Sequence, residues 1–600
     1  MKSIKEQFEA IKKYFEEGRN KNNAVGAVLS TAQSRTNQQP LSVTNAKQQA
    51  QTPIVGNIGD VLLAQSGANK NRNPLTVGTI VKPTSSTSQG AQSPPIHSTQ
   101  EVSQAVNAAP EPCLNIAPDA RFLLASDEQL RNYKMLGYGV GSNGTRTQCH
   151  NKRQNTESEV VLGIDFGTSS TKIVIGDSGL EKAFAVPFFE ANGIAEYLLP
   201  SRLYETNGTF SLRQGTQVHR DLKLALIDNI GDIKKQNLVI AFLALAIRHS
   251  RDWLFANHQS TYAATLLRWK LVVGLPVAHH LNDDIAERFR EIADLAWLAA
   301  NKEGIVSNTV IAQARSAAQL RHLNDKYSLS DDYALVEVIP EIAAQIYGVV
   351  NSGSFDPSRV NIFMMVDVGA GTVDSSLFRV KNEQGRWSFE FYTSIVEALG
   401  AMNLHRHRIN WWEQALNTVQ TPQANTLIQS LKTSQYPTDR MVGLPDSYND
   451  YFSGVSELHS TSALNPDAAL YKALMRQVQG HTFFRAWNGH ETGFLDKKVL
   501  EGTPIFFCGG GMRLSLYHRL IEDMKRLESY GWLSATVRPI QLPKILEAPR
   551  LDRQEFDRLS VAFGLSFLEV GNVIKAMPAP QIIIEPQYAH RNNFVDKDQV

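Results

Sequence analysis

The chain has 600 residues, with 60 Lys and Arg against 59 Asp and Glu, a net charge of +1. That length implies roughly two to four domains, and the near-neutral balance argues against a nucleic-acid binder working through a basic surface. The 3 cysteines (Cys113, Cys149 and Cys508) stand far apart with no CxxC pair, which excludes a disulfide framework and a zinc ribbon.

The N-terminus opens with a short amphipathic helix. Ile4, Phe8, Ile11 and Phe15 recur on one stripe, Ser3 and Glu6 form a capping box, and Gly18 supplies a stop. So short a helix is marginal alone, so its stripe calls for a partner surface, either this protein's own body or another protein. The interleaved charges are not those of a signal peptide. The longest apolar runs, such as Leu238 to Ile247, are about half a membrane span. The expectation is a soluble, cytoplasmic protein with no transmembrane segment.

From Glu16 to Arg121 there is no aromatic residue, and between Lys21 and Pro118 the only acids are Asp60, Glu101 and Glu111. Such a stretch buries too little apolar surface to offset chain entropy and reads as a disordered tether. Two short apolar patches interrupt it (Ile58 to Leu63 and Leu75 to Val81), and a weak helical pattern runs from Arg121 to Met135. From Val160 to about Ala576 β-rich runs ending in glycine turns alternate with amphipathic helices such as Asp283 to Asn301 and Leu516 to Tyr530, the pattern of α/β layers.

Within that region one plan occurs twice. VVLGIDFGTSSTKIVIGD (Val160 to Asp177) and IFMMVDVGAGTVDSSLFRV (Ile362 to Val380) are each an apolar strand, an Asp, a Gly/Thr/Ser or Gly/Ala/Thr turn and a second strand. A buried strand delivers Asp165 or Asp367 to its tip, and the turn that follows lets backbone N–H groups close on an anion. Two such hairpins facing each other grip a polyphosphate from both sides, and the two aspartates hold Mg²⁺ through its water shell.

Both segments resemble the phosphate-binding hairpins of the actin, sugar-kinase and heat-shock ATPase superfamily, most closely the nucleotide-binding domain of DnaK-type chaperones. RWKLVVGLPVAHHLND (Arg268 to Asp283), VIPEIAAQIYGVV (Val338 to Val350), IFFCGGGMRLSLYHRLIEDM (Ile505 to Met524) and LSVAFGLSF (Leu559 to Phe567) resemble four further segments of that family in the same order. The resemblance implies a two-lobed actin-like ATPase of duplicated RNase-H-like lobes. Its parts are a helix at 1–18, the tether over 19–157, lobe I over 158–356, lobe II over 357–555, an interlobe helix returning to lobe I over 556–576, and a loose tail over 577–600. Little chain follows Ala576, so no C-terminal substrate-binding domain is expected.

The resemblance also implies roles. Gly167, Thr168, Ser169 and Ser170 meet the β- and γ-phosphates of ATP or ADP beside Asp165. Asp367 takes the metal side, and Gly369, Ala370, Gly371 and Thr372 the phosphates, with Thr372 near the attacking water. Asp374 matches a further acidic residue, Gly400 a glycine turn, and Lys223 the phosphate-contacting lysine. Gly509, Gly510 and Gly511 admit the ribose and α-phosphate, and Arg513 lies on the adenine. Ile339 stands where the chaperones carry a glutamate, so Glu341 or Glu337 takes the water-orienting role. Glu341 is preferred because it begins the helix that runs to Val350. Met402, Asn403 and His405 replace an acidic pattern, which implies slow hydrolysis, as in a molecular switch acting on a protein partner or assembly. A filament-forming actin-like structural protein is the alternative and a small-molecule kinase a third reading. His279–His280 and His405–Arg406–His407 lack acidic or Cys partners at ligand spacing, and Trp411–Trp412 reads as core.

Overall fold

Strand and turn signals at the two hairpins produce the centres of two separate sheets. The computed structural model describes residues 114–124, 133–140, 142–146, 156–323, 334–350, 361–435, 444–457, 465–486, 502–525, 536–538 and 540–575, with Leu495 and Leu500. All of them belong to one unit of the chain, residues 105–600. The expected helix at 1–18, the patches at 58–63 and 75–81 and the tail at 577–600 lie outside the described residues. The fold is mixed α/β.

Strand β1 (Leu114–Phe122) comes first, and the first large sheet follows it with β2 (Thr156–Phe166), β3 (Ser170–Asp177), β4 (Lys182–Ala185), β5 (Thr265–Leu275) and β6 (Leu335–Pro340). β2, β3 and β4 form an antiparallel meander, and β5 and then β6 add in parallel on the far side of β2. The second sheet repeats that order. There β7 (Asn361–Val368), β8 (Val373–Glu383) and β9 (Arg386–Glu397) form the meander. Strand β10 (Phe452–Glu457) pairs with β1 instead, while β11 (Pro504–Cys508) and β12 (Thr536–Val537) add in parallel beyond β7.

Val160, Leu162, Ile164 and Phe166 of β2 are fully buried on one face, under helices that include α2 and α3 below. Helix α1 (Leu222–Asp228) precedes α2 (Ile233–Asn257), whose N-cap Asp232 accepts from the Lys234 and Lys235 amides. α3 (Asp283–Ala300) is capped by Asn282 at its start. At its end the buried guanidinium of Arg248, from α2, takes the carbonyls of Ala299 and Ala300. Cationic donors there complete the last turn of α3.

Between the sheets two short helices cross. α4 (Glu341–Gln345) follows β6 directly, and its Ile342, Ala343 and Ala344 share one core with Val272 of the first sheet and Phe363, Met365 and Phe378 of the second. Further along are α5 (Ala401–Val419), α6 (Pro422–Thr433) and α7 (Ser515–Lys525), and then α8 (Ser560–Leu565), which adds Val561 and Leu565 to that shared core. A Cβ on Gly564 would overlap the backbone of Ala344, so only glycine permits the two helices to approach this closely.

Two boundaries differ from the sequence expectation. The tether assigned to 19–157 includes structured segments. β1 pairs antiparallel with β10 and closes a cluster around Trp412, Tyr448 and Tyr451, so Arg121 and Phe122 end a strand and do not begin a helix. Farther on, the Leu136 amide donates to the Phe188 carbonyl at 2.9 Å and the Gly139 amide to Asp252 at 2.7 Å. The partners of this segment lie far off in sequence, more than a hundred residues away for Gly139, which a composition window does not see. The second difference is at the end. The helix expected over 556–576 is α8 alone; β14 (Val570–Lys575), rich in β-branched residues, then pairs with β9 of the second sheet. Before it, β13 (Leu546–Glu547) already pairs with β4 of the first sheet.

Two outcomes are expected from this packing. Gly564→Ala drives a methyl group into the Ala344 backbone and lowers stability by about 2 kcal/mol or more; an unchanged urea midpoint would show that the crossing can relax. His405, in α5, is a core residue whose Nδ1 accepts from the Tyr451 hydroxyl and whose Nε2–H donates to the Ser434 carbonyl at 2.8 Å. Burial pushes its pKa down to about 4. The unfolded chain takes that proton at a higher pH, so stability is full above about pH 6.5 and falls by about 1.4 kcal/mol per unit between there and pH 4. In His405→Gln the acid limb of a stability-against-pH curve is expected to be shallower than in the wild type.

Candidate functional site

The two meanders deliver their first turns to one cleft. β2 ends on Asp165 and Phe166 and turns through Gly167 to Ser169; β7 ends on Asp367 and Val368 and turns through Gly369 to Thr372. Of the residues singled out in the sequence, Asp165, Gly167, Thr168, Ser169, Ser170, Lys223, Glu341, Asp367, Gly369, Ala370, Thr372, Asp374, Gly509 and Gly510 line that cleft together. Thr168 Oγ1 lies 3.1 Å from the place a Cβ on Gly371 would occupy, so the turns approach each other across it.

Each turn is tied down on its carbonyl side. Ser201 donates through its hydroxyl to the Gly167 carbonyl at 2.7 Å and through its amide to the Ser169 carbonyl at 2.9 Å. In the second turn the carbonyls of Gly369, Ala370 and Gly371 accept from the amides of Ala401, Met402 and Gly400 at 3.1, 2.7 and 3.2 Å. Asn403 Nδ2 adds a bond to the Gly371 carbonyl at 2.6 Å. Gly400 and the first turn of α5 therefore buttress the second turn from behind. Among the described residues no hydrogen bond engages the backbone N–H of Thr168, Ala370 or Gly371. What these turns leave over is donors, which is the chemistry of an anion cradle.

The aspartates differ in their cross-strand partners. Asp165 stands opposite Lys172, and Lys172 Nζ donates to Asp165 Oδ2 at 2.9 Å. At the equivalent place Asp367 stands opposite Asp374. Burial raises both, Asp367 to about 7 and Asp374 to about 8, with Glu341 as the next cause for each. Glu341 is itself pushed up by burial although Lys223 donates to its Oε1. Asp374 Oδ2 and Gln345 Oε1 are buried with no hydrogen-bond partner. Glu337 is elsewhere: it lies on β6 and pairs with Lys270 at 3.0 Å.

The third wall is the glycine turn after β11. Gly509 has φ +88° and stands where a Cβ would meet the Asp367 carboxylate, so glycine is needed both for the conformation and for the approach. Gly511 packs behind against Val368. Arg513 faces away from the phosphate-side lining, holding Asp557 at 3.3 Å beside an outer groove formed with Ser515, His518 and Arg519. Sequence reading missed Lys172, Gln345 and Arg558, all of which line the cleft. The closing pair Phe166–Thr171 encloses four residues, 167–170, and that register places Lys172 opposite Asp165.

Four carboxyl groups, with one unpartnered carboxylate oxygen on Asp374 and one unpartnered amide oxygen on Gln345, suit a hydrated divalent cation, which needs acceptors for its waters more than direct ligands. Among the described residues no three His, Cys, Asp or Glu side chains form a group that could hold a metal ion directly, and no helix is long and apolar enough to cross a membrane. No protein-family model matches this chain, and no curated protein matches it.

Asp374 is a buried acid next to other acids, and Asp177 is its counterexample. Asp177 is fully buried but accepts from Ser158, Tyr262 and the Leu180 amide. In metal-free buffer Asp374→Asn is expected to raise stability by on the order of 1–2 kcal/mol, whereas Asp177→Asn lowers it. Thermal melts of the two variants at pH 8 check this; a loss in Asp374→Asn would mean that the acids are compensated.

Proposed function

We propose that this chain is an ATP-binding, slowly ATP-hydrolysing molecular switch of the actin, sugar-kinase and heat-shock ATPase superfamily, closest to the nucleotide-binding domain of DnaK-type chaperones. The observation that carries the reading is the pair of turns that share one cleft with their carbonyls tied back and amides of both left without partners. The repeated strand order of the two sheets supports the duplicated, two-lobed architecture, and the α4–α8 crossing supports the place of the interlobe helices.

In this reading the backbone N–H groups of Thr168, Ala370 and Gly371 bind phosphate oxygens, with Ser169, Ser170 and Thr372 beside them. Lys172 and Lys223 supply positive charge from the first-sheet side while keeping Asp165 and Glu341 in place. Asp165 and Asp367 are the residues that would hold Mg²⁺ through its waters, and the ion when bound neutralises charge between phosphate oxygens. Glu341, bound by Lys223 through one oxygen, keeps the other for a water at the phosphate end. With charge placed in this way, positioning sets the rate. Gly509 and Gly510 admit the sugar end, and the base lies toward Arg513. The partner is a protein, and the compartment the cytoplasm.

A thermal melt with and without Mg²⁺-ATP tests the assignment. At a hundred times Kd the ligand is expected to add about 2.7 kcal/mol, and a melting temperature unmoved by millimolar Mg²⁺-ATP would overturn it. Asp165→Asn and Asp367→Asn are expected to reduce turnover far more than affinity. Pelleting with ATP would turn the reading toward a filament, and turnover that rises only with an added metabolite would turn it toward a kinase.

A further inference from the structure

One cation in the cleft has nothing to hold. Arg558 ends a short 3₁₀ turn (Arg553–Arg558) just before α8 and lines the cleft with only 9% of its surface exposed. Its guanidinium lies flat against the glycine wall: Nε, Cζ and Nη2 are 3.2 to 3.3 Å from where a Cβ on Gly510 would be. Among the described residues it makes no hydrogen bond and no ion pair. The carboxylates around it are occupied. Asp557 is held by Arg513 at 3.3 Å, Asp165 by Lys172 at 2.9 Å, and Glu555 Oε2 accepts from the Ile194 amide at 3.0 Å. Burial and the Arg513 charge lower its pKa to about 10, against the pull of Asp557, Glu555 and Asp165.

The carboxylates near this guanidinium are shared with other donors, so its own N–H groups keep hydrogen-bonding capacity for a ligand in the cleft. Its five donors in a planar fork match two oxygens of a phosphate better than any other side chain does. We propose that Arg558 is a phosphate-binding residue of this cleft, taking two oxygens of a bound polyphosphate beside Gly510. The inference rests on the polyphosphate reading above but not on the identity of the base.

Titration calorimetry of the full chain with Mg²⁺-ADP, tripolyphosphate and adenosine, for the wild type, Arg558→Met and Arg558→Lys, tests it. Arg558→Met is expected to weaken Mg²⁺-ADP and tripolyphosphate at least tenfold and leave adenosine unchanged, with Arg558→Lys between. Wild-type affinity for tripolyphosphate in Arg558→Met, or an equal loss for adenosine, overturns the proposal. If the wild type binds Mg²⁺-ADP and Arg558→Met binds it equally well, the nucleotide reading stands and this one falls. If only tripolyphosphate binds, and through Arg558, the reverse holds.

Discussion

Everything in the cleft depends on how closely α4 passes α8. Gly564 has no side chain to hold the helices apart, and Ala343 and Ala344 are the small residues facing it on the other helix. α4 is the direct continuation of β6 in the first sheet, and α8 leads into β14 of the second. The spacing of this one contact is therefore passed to both sheets at once. Because interiors are close-packed, the strand tips above it are positioned to within the tolerance of a methyl group. Glu341 begins α4 and Arg558 immediately precedes α8, so two of the charged groups in the cleft are set by the same crossing.

The duplicated hairpins are alike in backbone and unlike in charge. In the first, the residue opposite the aspartate is a lysine, and the pair is locally neutral. In the second it is another aspartate, and burial raises the pKa of both. A neutral first turn beside an acid-rich second turn, with Arg558 unpaired at the glycine wall, is an arrangement that stability alone does not favour. It is the arrangement to expect where charges are to be completed by a polyanion and its cation.

Much of this was legible in the chain, for identifiable reasons. The strands flanking both turns announce themselves because both faces of each are covered, which demands nearly continuous apolar runs such as Ile362 to Val368. The site residues on those turns follow once the turns are placed. What escaped were residues whose significance lies in a long-range neighbour. Arg558 looks like one charge in a polar stretch until Gly510 is seen beneath it, and Arg513, next to the glycines in sequence, is drawn off by Asp557. β1 escaped for the same reason: its partner β10 is more than three hundred residues away, at Glu457 opposite Leu114. Local composition measures what a segment brings, not what it is offered.

The contacts across the cleft are graded from mouth to base, and the grading says where the structure can yield. Arg406 of α5 reaches Asp221, just before α1, at 2.7 Å, with both side chains about a third exposed or less. Such a pair contributes about 0–1 kcal/mol. Below it the contact between Thr168 and Gly371 is van der Waals only. At the base lie the helix crossing and a shared core that includes Ile342, Phe363, Met365 and Leu565, whose exposure would cost several times as much at roughly 25 cal/mol per Å². Separation would therefore cost less at the turns than at the helices. Strand β1 stands on the cluster around Trp412, built largely from α5 and α6, while Leu136 is held by Phe188, and Gly139 and Gly144 by Asp252 and Arg251 of α2. A ligand that bridges the turns would thus add contacts where those between the two sheets are weakest.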